Sequence, residues 1–377
     1  MITPEKRSMS GAPRMAALAL LCGATLACGQ EAPSTVLGPT EPSEVLPDTV
    51  QGIDLAPIKS LAGRIRQGGD YAGVHSLLIQ RSGVLVFEEY FGSSFQEELH
   101  TLQSVTKSFT SALIGIAIER GDMEGVHEPV LDFFPQWREE LGQDPRRAAM
   151  RLEDVLTMRT GTDYHESGPD SPHAQLNGLA TGWDRFWLER AMVNDPGTFW
   201  RYDSGGVVTL SSMLKQRTGM HADQYADQVL FGPMGITESR WFRNDEGHPH
   251  TGGGLFLTSR DMMKFGQLFL QRGRWGDEQV VPEAWVDASI RRRETFSPPR
   301  GSAGKTEAYG YLWWMLAPDP GGSGDQDIYA AMGYRAQYIF VIPEHDMVVV
   351  VTGWMEPVDQ GGPVGFLYSD ILPAVRD

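Results

Sequence analysis

Apolar positions fall into two rhythms along this chain. Residues 74–80 and 84–90 are β-branched and aromatic runs around Ser82-Gly83, which predicts a β-hairpin. A second hairpin is predicted at 337–342 and 347–352, joined by Pro343-Glu344-His345-Asp346, with a third strand at 328–332 before it. After Ser104 the rhythm changes. Phe109, Ala112, Leu113, Ile116, Ala117 and Ile118 leave almost no polar face before Gly121, the pattern of a buried helix. Met262, Phe265, Leu268 and Phe269 mark a one-faced helix over 261–273. Weaker helical signals lie at 58–68 and at 364–375, the latter interrupted by Pro373. Strands near both ends with helices and turns between them predict an α+β fold. One antiparallel sheet unites the chain ends, flanked by helices, and residues of about 122–251 form an inserted, mostly helical lobe. There is no βαβ rhythm and no internal repeat.

One residue breaks the apolar helix. Lys107 stands one turn into it, where the partial positive charge of unpaired N–H groups disfavours a cation. Ser104, three residues earlier, shares its face, so hydroxyl and amine lie side by side. A nucleophilic serine accounts for the lysine; an N-cap serine beside a lysine that reaches for water is the plainer alternative. The spacing alone decides little, because Ser212 with Lys215 and Ser302 with Lys305 repeat it. Ser212 falls inside a polar-faced helix ending at Gly219, and Ser302 in a Gly/Pro/Ser loop. Only Ser104 opens a buried helix.

Composition sets the address. The 377 residues, 41% hydrophobic, hold one large domain or two smaller ones and exclude a disordered chain. Lys6, Arg7 and Arg14 precede an apolar run over 15–26, which reads as an export signal over 1–27, too short to span a membrane as a mature helix. Its removal moves the net charge from −17 to −19, so nucleic acid is not an expected partner. The two cysteines are Cys22 and Cys28, leaving the mature fold without a disulfide. Thr25-Leu26-Ala27-Cys28-Gly29 resembles a bacterial lipobox, in which Cys28 becomes the lipid attachment site and a membrane link; cleavage after Ala27 without lipidation is the alternative. Residues 28–52, rich in Pro, Ser, Thr and Glu, read as a flexible tether, and 53–377 as the folded domain.

A serine hydroxyl needs a base near neutral pH, and G-x-S-x-G is absent around Ser104. Lys107 serves if desolvation lowers its pKa; a tyrosinate held by the lysine is the other option. A cation about 4 Å from a phenol contributes roughly 4 kcal/mol at an effective dielectric near 20, about three pKa units. Tyr202, in Pro196-Gly197-Thr198-Phe199-Trp200-Arg201-Tyr202-Asp203-Ser204, is the candidate, delivered with Ser204 to a helix start. Taken alone, that segment reads equally as a core aromatic followed by a helix cap. His248-Pro249-His250 and His165-Glu166 lack a third ligand at a recognisable spacing, so no metal is expected. Gly252-Gly253-Gly254 has no lysine at P-loop distance. Trp313 and Trp314 are expected to divide between core and cleft wall, and Tyr164 and Trp183 to line a substrate groove.

Several longer segments in order carry a family resemblance: 102–121, 154–161, 196–206, 252–261, 309–314 and 337–351. The chain resembles the serine β-lactamase and penicillin-binding-protein superfamily over about residues 74–351, specifically its class C-like branch of esterases, D-aminopeptidases and aminohexanoate-oligomer hydrolases. The S-x-x-K element is a recognised signature of that superfamily. The resemblance implies a β-lactamase/transpeptidase-like α+β fold with Ser104 as acylated nucleophile, Lys107 as its activating partner and Tyr202 as the first residue of a Y-x-N motif that here reads Tyr-Asp-Ser. It leaves Ser204 in the place of the substrate-holding asparagine. The third motif, Lys-Thr-Gly or His-x-Gly in relatives, aligns with Ala331-Met332-Gly333, so its cation is missing. Gly333 keeps the strand open, and the Tyr334 N–H pairs with that of Ser104 as an oxyanion hole. The function expected is an exported, periplasmic or envelope serine hydrolase of small-molecule esters or amides, working through a Ser104 acyl-enzyme without a cofactor. A β-lactamase or D-Ala-D-Ala carboxypeptidase, and a non-catalytic envelope binding protein of the same fold, are the alternatives.

Overall fold

The computed structural model describes residues 49–300, 304–323, 326–355 and 362–376. The leader, Cys28, most of the tether and Ser302 lie outside them.

The first predicted helix forms as α1 (Leu55–Gln67), capped by Asp54, whose carboxylate accepts from the Ala56 N–H. Ahead of it Thr49–Val50 pairs with Ile53–Asp54, so the ordered ladder begins at residues whose composition reads as tether. Strands β1 (Val74–Arg81) and β2 (Val84–Tyr90) make the predicted hairpin. Ser82 and Gly83 both take positive φ, the two-residue turn whose twist matches the strands. Next come the buried helix α2 (Thr106–Glu119), helix α3 (Ser204–Thr218) and helix α4 (Ser259–Leu270). The chain then re-enters the sheet through β3 (Glu294–Arg300), β4 (Thr306–Tyr309) and β5 (Trp314–Leu316). It closes with β6 (Ile328–Gly333), β7 (Gln337–Ile342) and β8 (Met347–Gly353).

These eight strands form one antiparallel sheet in the order β3-β4-β5-β6-β7-β8-β1-β2. The pairing of β8 with β1, Val350 opposite Leu78, unites the two ends of the chain as the sequence predicts. Alternate residues then serve opposite faces. Leu78, Val348, Val350, Ile339 and Ala331 pack with α2, α4 and the inserted lobe; Leu77, Ile79, Val349, Val351 and Phe340 pack with α1 and the C-terminal turns. Residues near-continuously apolar on both sides, such as 347–351, are what a central strand between two helical layers requires. Of the lobe, α3 and a chain of one- and two-turn helices account for nearly all of the regular secondary structure, the rest being turns and loops.

Strands β3 to β5 and a short helix over Glu283–Ser289 were not predicted. A Pro-Pro pair inside β3 reads as a loop, and it is tolerated because β3 is the sheet edge, where an N–H is not needed by a neighbour.

Candidate active site

The chain enters α2 through a single helical turn, Gln103–Val105, that follows directly on the short strand His100–Thr101. Gln103 is held at φ +47°, a left-handed conformation that a glutamine adopts only where its surroundings impose it. Those surroundings are visible. The Leu102 N–H donates to Leu255 O at 2.9 Å, and a Cβ on Gly333 would meet Leu102 O at 2.5 Å, so β6 ends hard against the backbone just before Ser104. Ser104 is thereby fixed, half-buried, at the foot of α2 and on the wall of a cavity of about 620 Å³.

Lys107 lies alongside as its spacing requires. Its Nζ is 2.8 Å from Ser104 Oγ and donates to Gly252 O at 2.5 Å. Gly252 is held in turn: Thr251 Oγ1 donates to Val207 O at 2.7 Å, and Thr110 Oγ1 donates to Thr251 O at 2.9 Å. The glycine run is therefore the lysine's anchor. With 1% of its surface exposed, Lys107 loses the hydration that stabilises an ammonium, and burial lowers its pKa from 10.5 to about 8, against the opposing pull of Glu166 and Asp203.

Tyr202 completes the group from the other side. Its phenol faces Ser104 closely enough for the two hydroxyls to interact, and the Lys107 ammonium sits 4.9 Å from its ring centroid. Trp314 stacks on the ring at 5.7 Å and 22°, while Trp313 is buried against Phe265 and Phe269, so the pair divides between the backing of the site and the core. Of the two bases the sequence leaves open, burial disfavours the lysine-held phenolate. Burial first, and then the Glu166 charge, push the Tyr202 phenol well above its ordinary range, and the nearby Ser104 hydroxyl opposes them. Tyr202 is thus a resting phenol, and Lys107 is the group within reach of neutrality near physiological pH.

The Tyr202 segment is locked from beneath by Asp203, a fully buried carboxylate that caps α3. It accepts from the Gly206 N–H at 2.9 Å, from Thr160 Oγ1 at 2.8 Å and from Trp187 Nε1 at 3.1 Å. Ser204 lines the cavity, but Lys107 Nζ is held by Gly252 O and Ser104 Oγ rather than by Ser204. Tyr334 lines the same cavity just past Gly333, and its side chain is exposed at the rim. Ala331 is buried in the core and supplies no charge. Tyr164 and Trp183 do not line the cavity as expected. Both are buried behind it, Tyr164 with its hydroxyl 3.0 Å from His173 Nδ1 and Trp183 stacked on Phe242 and edge-on to His250.

Glu166 is the residue that sequence reasoning missed, having weighed it only as a metal ligand. It lines the cavity, and its Oε1 accepts from the Ser204 N–H at 3.0 Å, at the start of α3. Ser212, the rival serine, is bonded to His248 Nδ1 at 3.2 Å inside α3.

A serine beside a buried lysine and a phenol, between an antiparallel sheet and a helical lobe, is the arrangement of a serine hydrolase of the β-lactamase-like class. The sequence profile described as Beta-lactamase matches residues 61–355, and the chain belongs to the β-lactamase family. The 6-aminohexanoate-dimer hydrolase of Paenarthrobacter ureafaciens is 23% identical over 292 residues, spanning 73% of this chain and 71% of that protein. Among solved structures, EstCE1, described as a hydrolase with promiscuous acyltransferase activity, superposes with a TM-score of 0.68 at 16% identity, covering 85% of this chain and 97% of that one. Simvastatin synthase (LovD) from Aspergillus terreus gives 0.65 at 18% identity, covering 85% and 98%. At these identities the structural likeness bears on the fold.

Proposed function

We propose that the protein hydrolyses an ester or amide of a small molecule through an acyl-enzyme on Ser104. The observation that carries this is the contact of Ser104 Oγ with a buried lysine whose pKa is lowered to about 8. Neutral Lys107 takes the Ser104 proton as the oxygen attacks the carbonyl carbon. The tetrahedral oxyanion is received by the N–H groups of Ser104 and Tyr334. Tyr202, which faces Ser104, passes a proton to the departing alcohol or amine and regains it from Lys107. Water then attacks the acyl carbon, the same groups carrying its proton in reverse, and the acid leaves.

Esters and amides are favoured over β-lactams and D-Ala-D-Ala peptides, because these carry a carboxylate. Among the described residues no lysine or arginine lines the cavity to receive one, and Glu166 repels it. The test compares p-nitrophenyl butyrate, a chromogenic cephalosporin and a D-amino-acid p-nitroanilide. The butyrate is expected to have kcat/KM at least about tenfold above the cephalosporin. A faster cephalosporin reverses the assignment, and the absence of any covalent adduct with all three leaves a binding protein.

The address is part of the same proposal. Residues 1–27 direct export, lipid on Cys28 holds the protein at the envelope, and the stretch after it tethers the domain. The lipobox-like Leu26-Ala27-Cys28 supports this, and no helix among the described residues is long and apolar enough to cross a membrane itself. Cell fractionation should find the wild type in the membrane pellet and the Cys28→Ala variant outside it; a variant that stays in the pellet contradicts lipid anchoring.

A further inference from the structure

Among the described side chains that line the cavity, Glu166 is the one acid or base other than histidine. Two imidazoles share its wall, and both are uncharged at neutral pH. Burial lowers His250 to about 3, and burial also lowers His173. Their hydrogen bonds fix the tautomers: His250 Nε2 donates to Asn177 Oδ1 at 3.1 Å, Asn177 Nδ2 donates to His173 Nε2 at 3.0 Å, and His173 keeps its proton on Nδ1. That Nδ1 lies 3.0 Å from the Tyr164 hydroxyl and 3.9 Å from Glu166 Oε1. Arg240 and Arg335 stack on the Phe256 and Tyr334 rings, and neither lines the cavity.

Glu166 is also poised rather than spent. Oε1 is tied to the Ser204 N–H, and no donor among the described residues is bonded to Oε2. The α3 N-terminus favours an anion at this point. The charge is felt at the reaction centre, since it raises the pKa of both Lys107 and Tyr202, the two residues that touch Ser104. A lone carboxylate cannot hold a divalent metal, and among the described residues no three acids, histidines or cysteines gather to do so. One negative charge, neutral polar neighbours and the exposed Phe242 ring on the cavity wall suit one ligand chemistry: an organic ammonium.

We propose that Glu166 forms a subsite for an ammonium group on the substrate, so that this cleft selects amine-bearing esters or amides over neutral ones and rejects carboxylates. The proposal rests on Ser104 hydrolysis. Glu166 makes no bond in the reaction; it sets where the cationic end of the substrate lies relative to the scissile carbonyl.

The test uses three p-nitrophenyl esters of equal length, those of 6-aminohexanoate, heptanoate and the monoester of heptanedioate. They end in ammonium, methyl and carboxylate. In the wild type, kcat/KM for the ammonium ester is expected to exceed that for the methyl ester by about tenfold, mostly through KM, with the carboxylate ester slowest. In Glu166→Gln the ammonium-to-methyl ratio should fall to about one. The ratio is read within each protein, so a general loss of activity does not mimic it. A wild-type ratio at or below one, a ratio that survives in Glu166→Gln, or an equal loss on all three esters overturns the subsite; the last makes Glu166 a clamp on α3 only. If Glu166→Gln does not fold, the wild-type ratio decides by itself, because it must shrink as salt is raised, and a salt-independent ratio contradicts the proposal. Failure of the parent reading looks different: the methyl ester would then be untouched, or hydrolysed equally by Ser104→Ala.

Discussion

Replacing Ser104 by alanine is expected to lower kcat/KM for every accepted ester by a factor of about 10⁴ or more, with no loss of the folded state. The reason is that a single atom carries the covalent chemistry. Oγ is the atom in contact with Lys107 and facing Tyr202, and among the described residues no second hydroxyl in the cavity has an amine beside it. Ser204 shares the wall, but Lys107 Nζ is already engaged with Ser104 and Gly252. The fold should survive because the backbone turn is imposed by the Leu102–Leu255 bond and by Gly333, not by the serine side chain. Steady-state kinetics with circular dichroism as the control measures both halves. Retention of even a tenth of the wild-type rate would move the nucleophile elsewhere.

Below pH 8 the wild-type rate is expected to fall about tenfold per pH unit, and above it to level off. Lys107 accepts a proton only as the free amine, and burial sets its pKa at about 8, so its active fraction shrinks as pH drops through that value. Tyr202 contributes no limb in this range, because its phenol stays protonated. Lys107→Met should remove the limb and lower kcat/KM by a factor of about 10² to 10⁴, the usual worth of a positioned base. The same shift links to stability. Between about 8 and 10.5 the unfolded chain holds a proton on this lysine that the native state lacks, so this group's contribution to stability rises with pH across that window. A wild-type profile whose inflection lies near 6, or a limb that persists in Lys107→Met, points to an imidazole or carboxylate base instead.

Much of this site was legible in the sequence because helical geometry carries it locally. Ser104 and Lys107 are three apart on one apolar helix, and that spacing alone places amine beside hydroxyl. The two hairpins were equally legible, since Ser82-Gly83 and Pro343 to Asp346 punctuate runs of β-branched and aromatic residues. Tyr202 needed the family resemblance, because nothing local separates it from a core aromatic; its contact with Ser104 crosses about a hundred residues of chain. Its protonation stayed open in the sequence, because the lysine's attraction can be sized from the residue types while the burial that outweighs it depends on the packing around the ring. Glu166 was not legible. Its role depends on a loop laid against the first turn of α3, a juxtaposition that no spacing in the sequence encodes. Strand β3 was hidden for the opposite reason, in that its local signals favour a loop and only its edge position makes them harmless.

The most direct measurement on the Ser104 acyl-enzyme is intact mass spectrometry of the protein treated with a fluorophosphonate, followed by peptide mapping. The account predicts a single phosphonyl adduct on the peptide containing Ser104, formed faster as pH rises through about 8 and missing in Ser104→Ala. Equal labelling of the wild type and Ser104→Ala, or an adduct mapped to another residue, would contradict it.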